Sequence, residues 1–154
     1  MYHYEHTQPS TFVRVTVGGC VLVLGVSGAV QMARSGEGAI LIVGIAVFMA
    51  IILLLFHSLT VRLTEDEIQL RFGVGAVRKS FLIKDIEDAT ATRSRWFYGW
   101  GIKMIAGGWL YNVSGFDVVE IRLRNGTRAM IGTDEPQQLL LAVENALDRL
   151  SSTG

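Results

Sequence analysis

The pattern of hydrophobic positions divides the chain near Leu59 into two unlike parts. Residues 15–33 read VTVGGCVLVLGVSGAVQMA and residues 39–59 read AILIVGIAVFMAIILLLFHSL, with no lysine, arginine, aspartate or glutamate in either run. At about 1.5 Å per residue, a helix of this length crosses about 30 Å of hydrocarbon. The pattern therefore predicts a transmembrane hairpin over residues 13–59, with helices at about 15–33 and 39–59 and a tight turn between them.

Two other structures are compatible with apolar runs of this length. A helical hairpin in the core of a soluble protein normally keeps a polar face, and neither run has one. A cleaved signal peptide would account for the first run, with Ser27 and Ala29 at small positions before the cut. However, residues 1–13 hold Glu5 and no lysine or arginine, whereas a signal peptide begins with positive residues. We therefore expect two membrane helices that follow a polar, mobile N-terminal tail at residues 1–12.

Small residues lie where the two helices are expected to meet. Helices in lipid approach each other through small residues, because hydrocarbon gives no hydrophobic drive for pairing. Gly18 and Gly25 in the first helix, with Ser27, Gly28 and Ala29 beyond them, and Ala46 and Ala50 in the second are the predicted packing positions. The same faces could instead pair two copies of the chain.

From Thr60 onward, apolar and polar positions alternate, which is typical of half-buried strands. Asn125-Gly126 is a strong signal for a two-residue hairpin turn. A final helix is predicted at about 134–150, with Asp134 as its cap and an apolar stripe on one face. We expect a mainly β domain over residues 60–154, built as a partly open antiparallel barrel of about seven strands that the C-terminal α-helix closes.

Charge is distributed as unevenly as hydrophobicity. The 154 residues hold 14 Lys+Arg and 14 Asp+Glu, but only two of each sign precede residue 60, so the β domain has twelve of each. A neutral domain argues against a nucleic-acid partner, which needs a basic face. Arg14 and Arg62 flank the two runs on one side and Arg34 lies in the turn, which favours the cytoplasm for both termini of a multi-pass protein in the inner membrane.

Side chains that could support catalysis or bind a metal are scarce. His3 and His6 have no third metal ligand nearby in the sequence, and the single cysteine, Cys20, excludes a disulfide framework. The chain has neither a serine nucleophile elbow nor a phosphate-binding loop. We therefore predict a protein that is not an enzyme and needs no metal or cofactor. His57, near the end of the second run, could snorkel to the interface, pair with a headgroup phosphate or serve a proton path.

Aromatic residues are concentrated between residues 93 and 116, which hold seven of the fourteen in the chain and all three tryptophans. One interpretation places these rings in the core of the barrel. The other makes them a contact surface, because Trp96, Phe97 and Tyr98 cannot all face one core in an extended strand. The candidate contact residues are Arg93, Arg95, Trp96, Phe97, Tyr98, Trp100, Trp109 and Tyr111.

Four strings between Tyr98 and Pro136 resemble a known group of proteins: YGWGI, GGWLYNVSG, VVEIRLRNG and IGTDEP. They are similar to small bacterial membrane proteins that carry a pleckstrin-homology-like (PH-like) domain after transmembrane helices, and the order of elements over residues 60–150 resembles that superfold. The resemblance implies the fold rather than an activity. Phosphoinositide-binding relatives have a basic cluster on the first strand pair, whereas here the first turn is Glu65-Asp66-Glu67, with Arg71, Arg78 and Lys79 nearby.

These observations together predict a protein that presents a PH-like domain at the cytoplasmic surface of the membrane. Its expected partners are membrane lipids, through their headgroups, or another protein. The alternative is a structural or regulatory subunit of a membrane complex, or a homo-oligomer, that assembles through the domain or through the small-residue helix faces.

Overall fold

The computed structural model describes residues 3–34, 36 and 38–153. Two helices, α1 (Thr11–Arg34) and α2 (Ala39–Phe56), form a hairpin, and both are long and apolar enough to cross a membrane. Only three of their residues are buried, Gly28, Ala39 and Ala46, so the pair is not a core element of the β domain. Helix α1 begins four residues before the predicted start, and α2 ends three residues before the predicted end, because Ser58 and Leu59 belong to a strand.

Nine strands and a C-terminal helix follow or flank the hairpin in the described residues. They are β1 (Tyr4–Pro9), β2 (Ser58–Leu63), β3 (Glu67–Phe72), β4 (Val77–Leu82), β5 (Ile86–Arg93), β6 (Gly101–Ile105), β7 (Gly108–Asn112), β8 (Asp117–Leu123), β9 (Arg128–Gly132) and α3 (Pro136–Thr153). A helical hairpin with a mainly β domain and a C-terminal helix is confirmed.

The strands form two sheets. One has the order β1-β2-β3-β4 and the other has the order β5-β8-β9-β7-β6. All neighbours are antiparallel except β7 and β9, which are parallel with Gly108 opposite Arg128. The expectation of about seven strands, all antiparallel, was therefore wrong in the count and in this pair.

The N-terminal tail predicted for residues 1–12 was also wrong, because it contains β1 and the start of α1. Residues 1 and 2 lie outside the described part. Strand β1 pairs with β2 from Tyr4 opposite Leu63 to Pro9 opposite Ser58. The two strands are also joined by an ion pair between Glu5 and Arg62, with 2.8 Å from Oε1 to Nη2. Since β1 precedes α1 and β2 follows α2, both ends of the hairpin connect to the same sheet.

The core lies between the two sheets and α3. The first sheet contributes Leu70 and Phe72, and the second contributes Ile121 and Ile131, all buried. One face of α3 covers this cluster with three buried side chains at helical spacing: Leu139, Val143 and Ala146.

The first turn of α3 is not capped by Asp134. The Thr133 hydroxyl oxygen accepts a hydrogen bond from the Glu135 amide at 3.1 Å. The Asp134 carboxylate instead contacts His6 of β1, with 2.6 Å from Oδ1 to Nε2. The helix therefore begins just after the predicted cap, and it extends to Thr153, three residues past the predicted end.

Candidate functional site

The helical hairpin joins the β domain through single residues. Ser10 links β1 to α1 and His57 links α2 to β2, and the Ser10 amide donates to the His57 carbonyl oxygen at 2.9 Å. This bond continues the β1–β2 ladder into the base of the hairpin. We call this end of the domain the junction: Ser10, His57 and the two turns of residues 73–75 and 113–115 that contact the hairpin beside them.

Ser10 anchors the start of α1 to the β7–β8 turn. Its side chain is buried, and its hydroxyl donates to the carbonyl oxygen of Val113 at 2.6 Å. The Ser10 hydroxyl oxygen also accepts a hydrogen bond from the Val13 amide at 3.4 Å, which is a weak N-cap contact. Beside it, Gln8 Nε2 donates to the Ser114 carbonyl at 3.2 Å. A serine directly before an apolar helical run is a known N-cap signal, so this residue could have been found in the sequence.

Gly73 lets the β3–β4 turn pack on the end of α2. Its φ is +51°, and a Cβ atom there would lie 2.1 Å from the carbonyl oxygen of Leu54. The Gly73 amide donates to Ser58 O at 2.8 Å, and the Val74 amide donates to Leu54 O at 3.3 Å. Only glycine fits this approach without a backbone shift.

Trp100 connects the aromatic segment to the hairpin. Its ring packs on Phe12, in the first turn of α1, with 4.6 Å between the ring centroids. Its indole nitrogen donates to the Gly115 carbonyl oxygen at 3.2 Å. Trp100 therefore lies at the junction, beside the start of α1.

The residues Trp96–Tyr98 form a 3₁₀ turn, which we call the aromatic turn. The sequence argument assumed an extended chain here and was wrong on that point. Trp96 is 79% exposed and Phe97 is 57% exposed. Their rings meet edge to face at 6.0 Å, and the Arg95 guanidinium lies 5.6 Å from the centroid of the Phe97 ring. Two large apolar side chains thus project from the surface of the domain, three and four residues before Trp100.

Arg93 lies with this turn, since it lines one pocket with Arg95 and Tyr98, and it pairs with Asp117 at 3.3 Å. Tyr111 is buried in the core, with its ring against Phe81 at 5.8 Å. Trp109 is partly exposed, and it lines a separate cleft of the domain together with Tyr111. The predicted set therefore divides between the aromatic turn, the junction at Trp100 and that cleft.

A basic side chain and a histidine lie near the same end of the hairpin. Arg14 and His57 line a shallow pocket of about 270 Å³ with Leu53 and Leu54. His57 Nδ1 lies 3.1 Å from the Leu54 carbonyl oxygen, which orients the ring. Because Arg14 belongs to α1 and His57 follows α2, only the folded hairpin brings them together.

The helix seam differs in part from its prediction. A Cβ at Gly18 would lie 3.9 Å from Leu53 Cδ2, and Ala46 is buried, while Ala50 is half-buried. Gly25 is exposed with no atom within 4 Å of its Cβ position, so its assignment to the seam was wrong.

Gly28, which is also among the small residues predicted for the seam, has the tightest contact of the glycines in the two helices. A Cβ there would lie 2.9 Å from Val43 Cγ2. The partly buried face of α1 runs through Val21, Leu24 and Gly28, and Gly25 lies off the seam because it is one residue past this face.

The N-terminal histidines are held by carboxylates. His6 contacts Asp134 and also Glu135, the latter at 3.2 Å, and His3 lies 3.6 Å from Glu65. Over residues 3–34, 36 and 38–153, no group of three or more histidine, cysteine, aspartate or glutamate side chains is placed to hold a metal ion. These contacts fasten β1 to the start of α3 and to the β2–β3 turn.

No family model and no curated protein matches the chain. The resemblance to PH-like membrane proteins therefore stays a prediction.

Proposed function

We propose that the chain is an integral membrane protein whose β domain contacts lipid headgroups through the aromatic turn. The helix lengths and their apolar composition support two crossings. So does their exposure, because the side chains of α1 and α2 would otherwise present a large apolar surface to water.

The connection of both helices to one sheet supports a hairpin that returns to the side from which it started. Strands β1 and β2 are neighbours, so the chain enters and leaves the hairpin at one end. With Arg14 and Arg62 on that side and Arg34 in the turn, we place both termini and the domain in the cytoplasm, at a bacterial inner membrane. A topology reporter fused after Gly154 tests this placement. Reporter activity found only outside the cytoplasm would contradict it.

The contact between Phe12 and Trp100 is the observation that carries the headgroup proposal. It fixes Trp100 beside the first turn of α1, where that helix leaves the bilayer in the proposed arrangement. The exposed Trp96 and Phe97 then lie at headgroup level, where aromatic side chains are favoured. Arg95 lies over Phe97, so a cation is held at the same level.

We further propose that the domain is PH-like and that its role is binding rather than catalysis. The two sheets followed by a single C-terminal helix support the resemblance seen in the sequence. The exposed aromatic turn supports a contact role. The first strand pair after the hairpin turns at Glu65-Asp66-Glu67, an acidic turn that disfavours phosphoinositides there.

Depth-dependent quenching tests the headgroup contact. The full chain carrying Trp100→Phe and Trp109→Phe, in nanodiscs, leaves Trp96 as the reporter tryptophan. We expect phospholipids brominated near the headgroup to quench Trp96 more strongly than those brominated near the chain end. A matched protein with Trp109 alone should be quenched weakly by both lipids. Equal, weak quenching of Trp96 and Trp109 would contradict the proposal.

The alternative, a subunit that assembles through its helices, is favoured by one observation. Gly25 faces away from α2, with open space at its Cβ position. A second transmembrane helix could approach closely at this position. Crosslinking in membranes, comparing the unmodified chain with Gly25→Leu, tests this: loss of a crosslinked species in the variant would support assembly.

A further inference from the structure

A cleft of about 450 Å³ opens between the edge strand β4 and the second sheet. Its walls are largely apolar and come from five strands: Val77, Phe81, Ile102, Trp109, Leu123 and Ala129. Local sequence patterns could not reveal it, because β4 and β9 meet there only in the folded domain. Its size and its apolar lining are those of small-molecule binding sites.

The polar residues of the cleft give it a positive character. Arg78, Lys79 and Arg128 line it, and none of its described lining residues is acidic. Arg128 is already engaged, since its Nη2 donates to the Ala106 carbonyl at 2.7 Å and its Nη1 lies 3.5 Å from Glu120 Oε1. Arg78 Nε donates to the Gly75 carbonyl oxygen at 2.7 Å.

Lys79 is the cation available to a ligand. It lies opposite Leu70 in the β3–β4 pair, so it shares the inward-facing side of β4 with Val77 and Phe81. Its ammonium lies 5.6 Å from the centroid of the Phe81 ring, and no ion pair joins it to a described residue. An exposed ammonium above an apolar wall suits an anion that carries a hydrocarbon chain.

Tyr111 adds a polar group to the apolar wall. The residue is 5% exposed and lines the cleft. A phenol hydroxyl can donate and accept a hydrogen bond, so it offers a polar contact to a group that enters the cleft.

The edge of β4 disfavours an added strand as the occupant. Arg78, Lys79 and Ser80 are consecutive exposed residues on this edge, and an inward-facing lysine is a device that prevents strand addition. A flexible chain with one anionic end avoids this obstacle, because it needs no backbone pairing.

From these features we propose that the cleft binds a single-chain anionic amphiphile, with its hydrocarbon chain along the apolar wall and its anionic group at Lys79. Fatty acids and anionic lysophospholipids have this chemistry. Val77, which lines the cleft, follows the β3–β4 turn that contacts α2 at Leu54. A bilayer source for the ligand therefore rests on the proposed membrane placement, whereas binding itself does not.

Trp109 provides the test, since it lines the cleft. The probe is hexadecanoate brominated in mid-chain, added to the full chain with Trp96→Phe and Trp100→Phe in phosphatidylcholine nanodiscs. We expect quenching that saturates and is reversed by unbrominated hexadecanoate. Lys79→Gln should weaken the apparent affinity for hexadecanoate about tenfold, because it removes one hydrogen bond to a charged group. Lys84→Gln, at an exposed lysine outside the cleft, should leave it unchanged.

Further arms identify the ligand. Brominated hexadecanol, which lacks the charge, should bind the Lys79→Gln variant and the protein that retains Lys79 with equal affinity. Val77→Phe, which adds a larger side chain to the apolar lining, should weaken the binding of both probes. Quenching that does not saturate, or equal effects of Lys79→Gln and Lys84→Gln, would overturn the proposal. If phosphatidylglycerol in the nanodisc abolished hexadecanoate binding, the ligand would be a bilayer phospholipid and the single-chain assignment would be wrong. The headgroup proposal is tested by the quenching of Trp96 and the cleft proposal by the quenching of Trp109, so either proposal can fail without the other.

Discussion

The buried hydroxyl of Ser10 donates to the carbonyl oxygen of Val113 at 2.6 Å, which fastens the first turn of α1 to the β7–β8 turn. Replacing Ser10 with alanine removes the donor, leaves a carbonyl without its partner and deletes an N-cap. We expect Ser10→Ala to lower the free energy of unfolding by about 1–3 kcal/mol. Urea unfolding of the full chain in nanodiscs, followed by tryptophan fluorescence, measures this change.

A serine near the end of α3 provides the control for that experiment. Ser152 is exposed and its hydroxyl donates to the Arg149 carbonyl oxygen at 2.9 Å. Ser152→Ala should therefore change stability by less than about 0.5 kcal/mol. Equal losses in the two variants would show that the buried bond to Val113 contributes no stability of its own.

Gly73→Ala should be among the most destabilising single substitutions in the domain. The added methyl group meets the Leu54 carbonyl oxygen, and the backbone at Gly73 has positive φ. We expect a loss of at least about 2 kcal/mol in thermal or urea unfolding. Gly126→Ala separates the two causes, because Gly126 has φ +81° but open space around its Cβ position. The contact with α2 is unimportant if both variants lose the same free energy.

The two glycines of α1 should respond differently to a leucine. Gly28→Leu inserts a side chain where Val43 already lies 2.9 Å from the Cβ position, so we expect about 1–3 kcal/mol of destabilisation. Gly25→Leu adds a side chain in open space and should have little effect on the monomer. Thermal unfolding of the two variants in nanodiscs distinguishes them, and similar midpoints would contradict the observed seam.

Stability should fall at alkaline pH. Burial raises the pKa of Tyr111 above its ordinary value of about 10, and burial likewise raises the pKa of Tyr4. The folded state thus favours the neutral phenol, so this stability is present below about pH 10 and is lost as the pH rises through the folded pKa. Tyr111→Phe should flatten the fall in unfolding free energy above about pH 10. An unchanged slope would exclude Tyr111 as its source.

Local patterns in the sequence were sufficient for most of the secondary structure. Helices α1 and α2 follow from continuous apolar runs, and β3 follows from Ile68, Leu70 and Phe72 alternating with polar residues. These signals depend only on neighbouring residues. Strand β1 gives no such signal, because it is an edge strand with one buried residue, Gln8.

Features that depend on contacts between distant residues could not be predicted. The parallel pairing of β7 with β9 and the contact between Phe12 and Trp100 both need the complete fold. The aromatic segment showed the same limit, since composition marked it but could not separate the buried Tyr111 from the exposed Trp96. Side chains alternate between two faces only in an extended strand, and Trp96–Tyr98 is a 3₁₀ turn. The alternation argument therefore could not distinguish buried from exposed rings there.

Ser10 and His57 are single-residue links, so the β domain cannot move away from the hairpin. A domain on a flexible linker samples a volume of cytoplasm, whereas this one is held at a fixed angle to its two helices. In the proposed membrane placement, a thicker or thinner bilayer changes the tilt of a helical hairpin. Such a tilt would turn the whole β domain, and with it the aromatic turn and the mouth of the cleft. The lipid composition of the membrane would then set the orientation of both proposed binding surfaces.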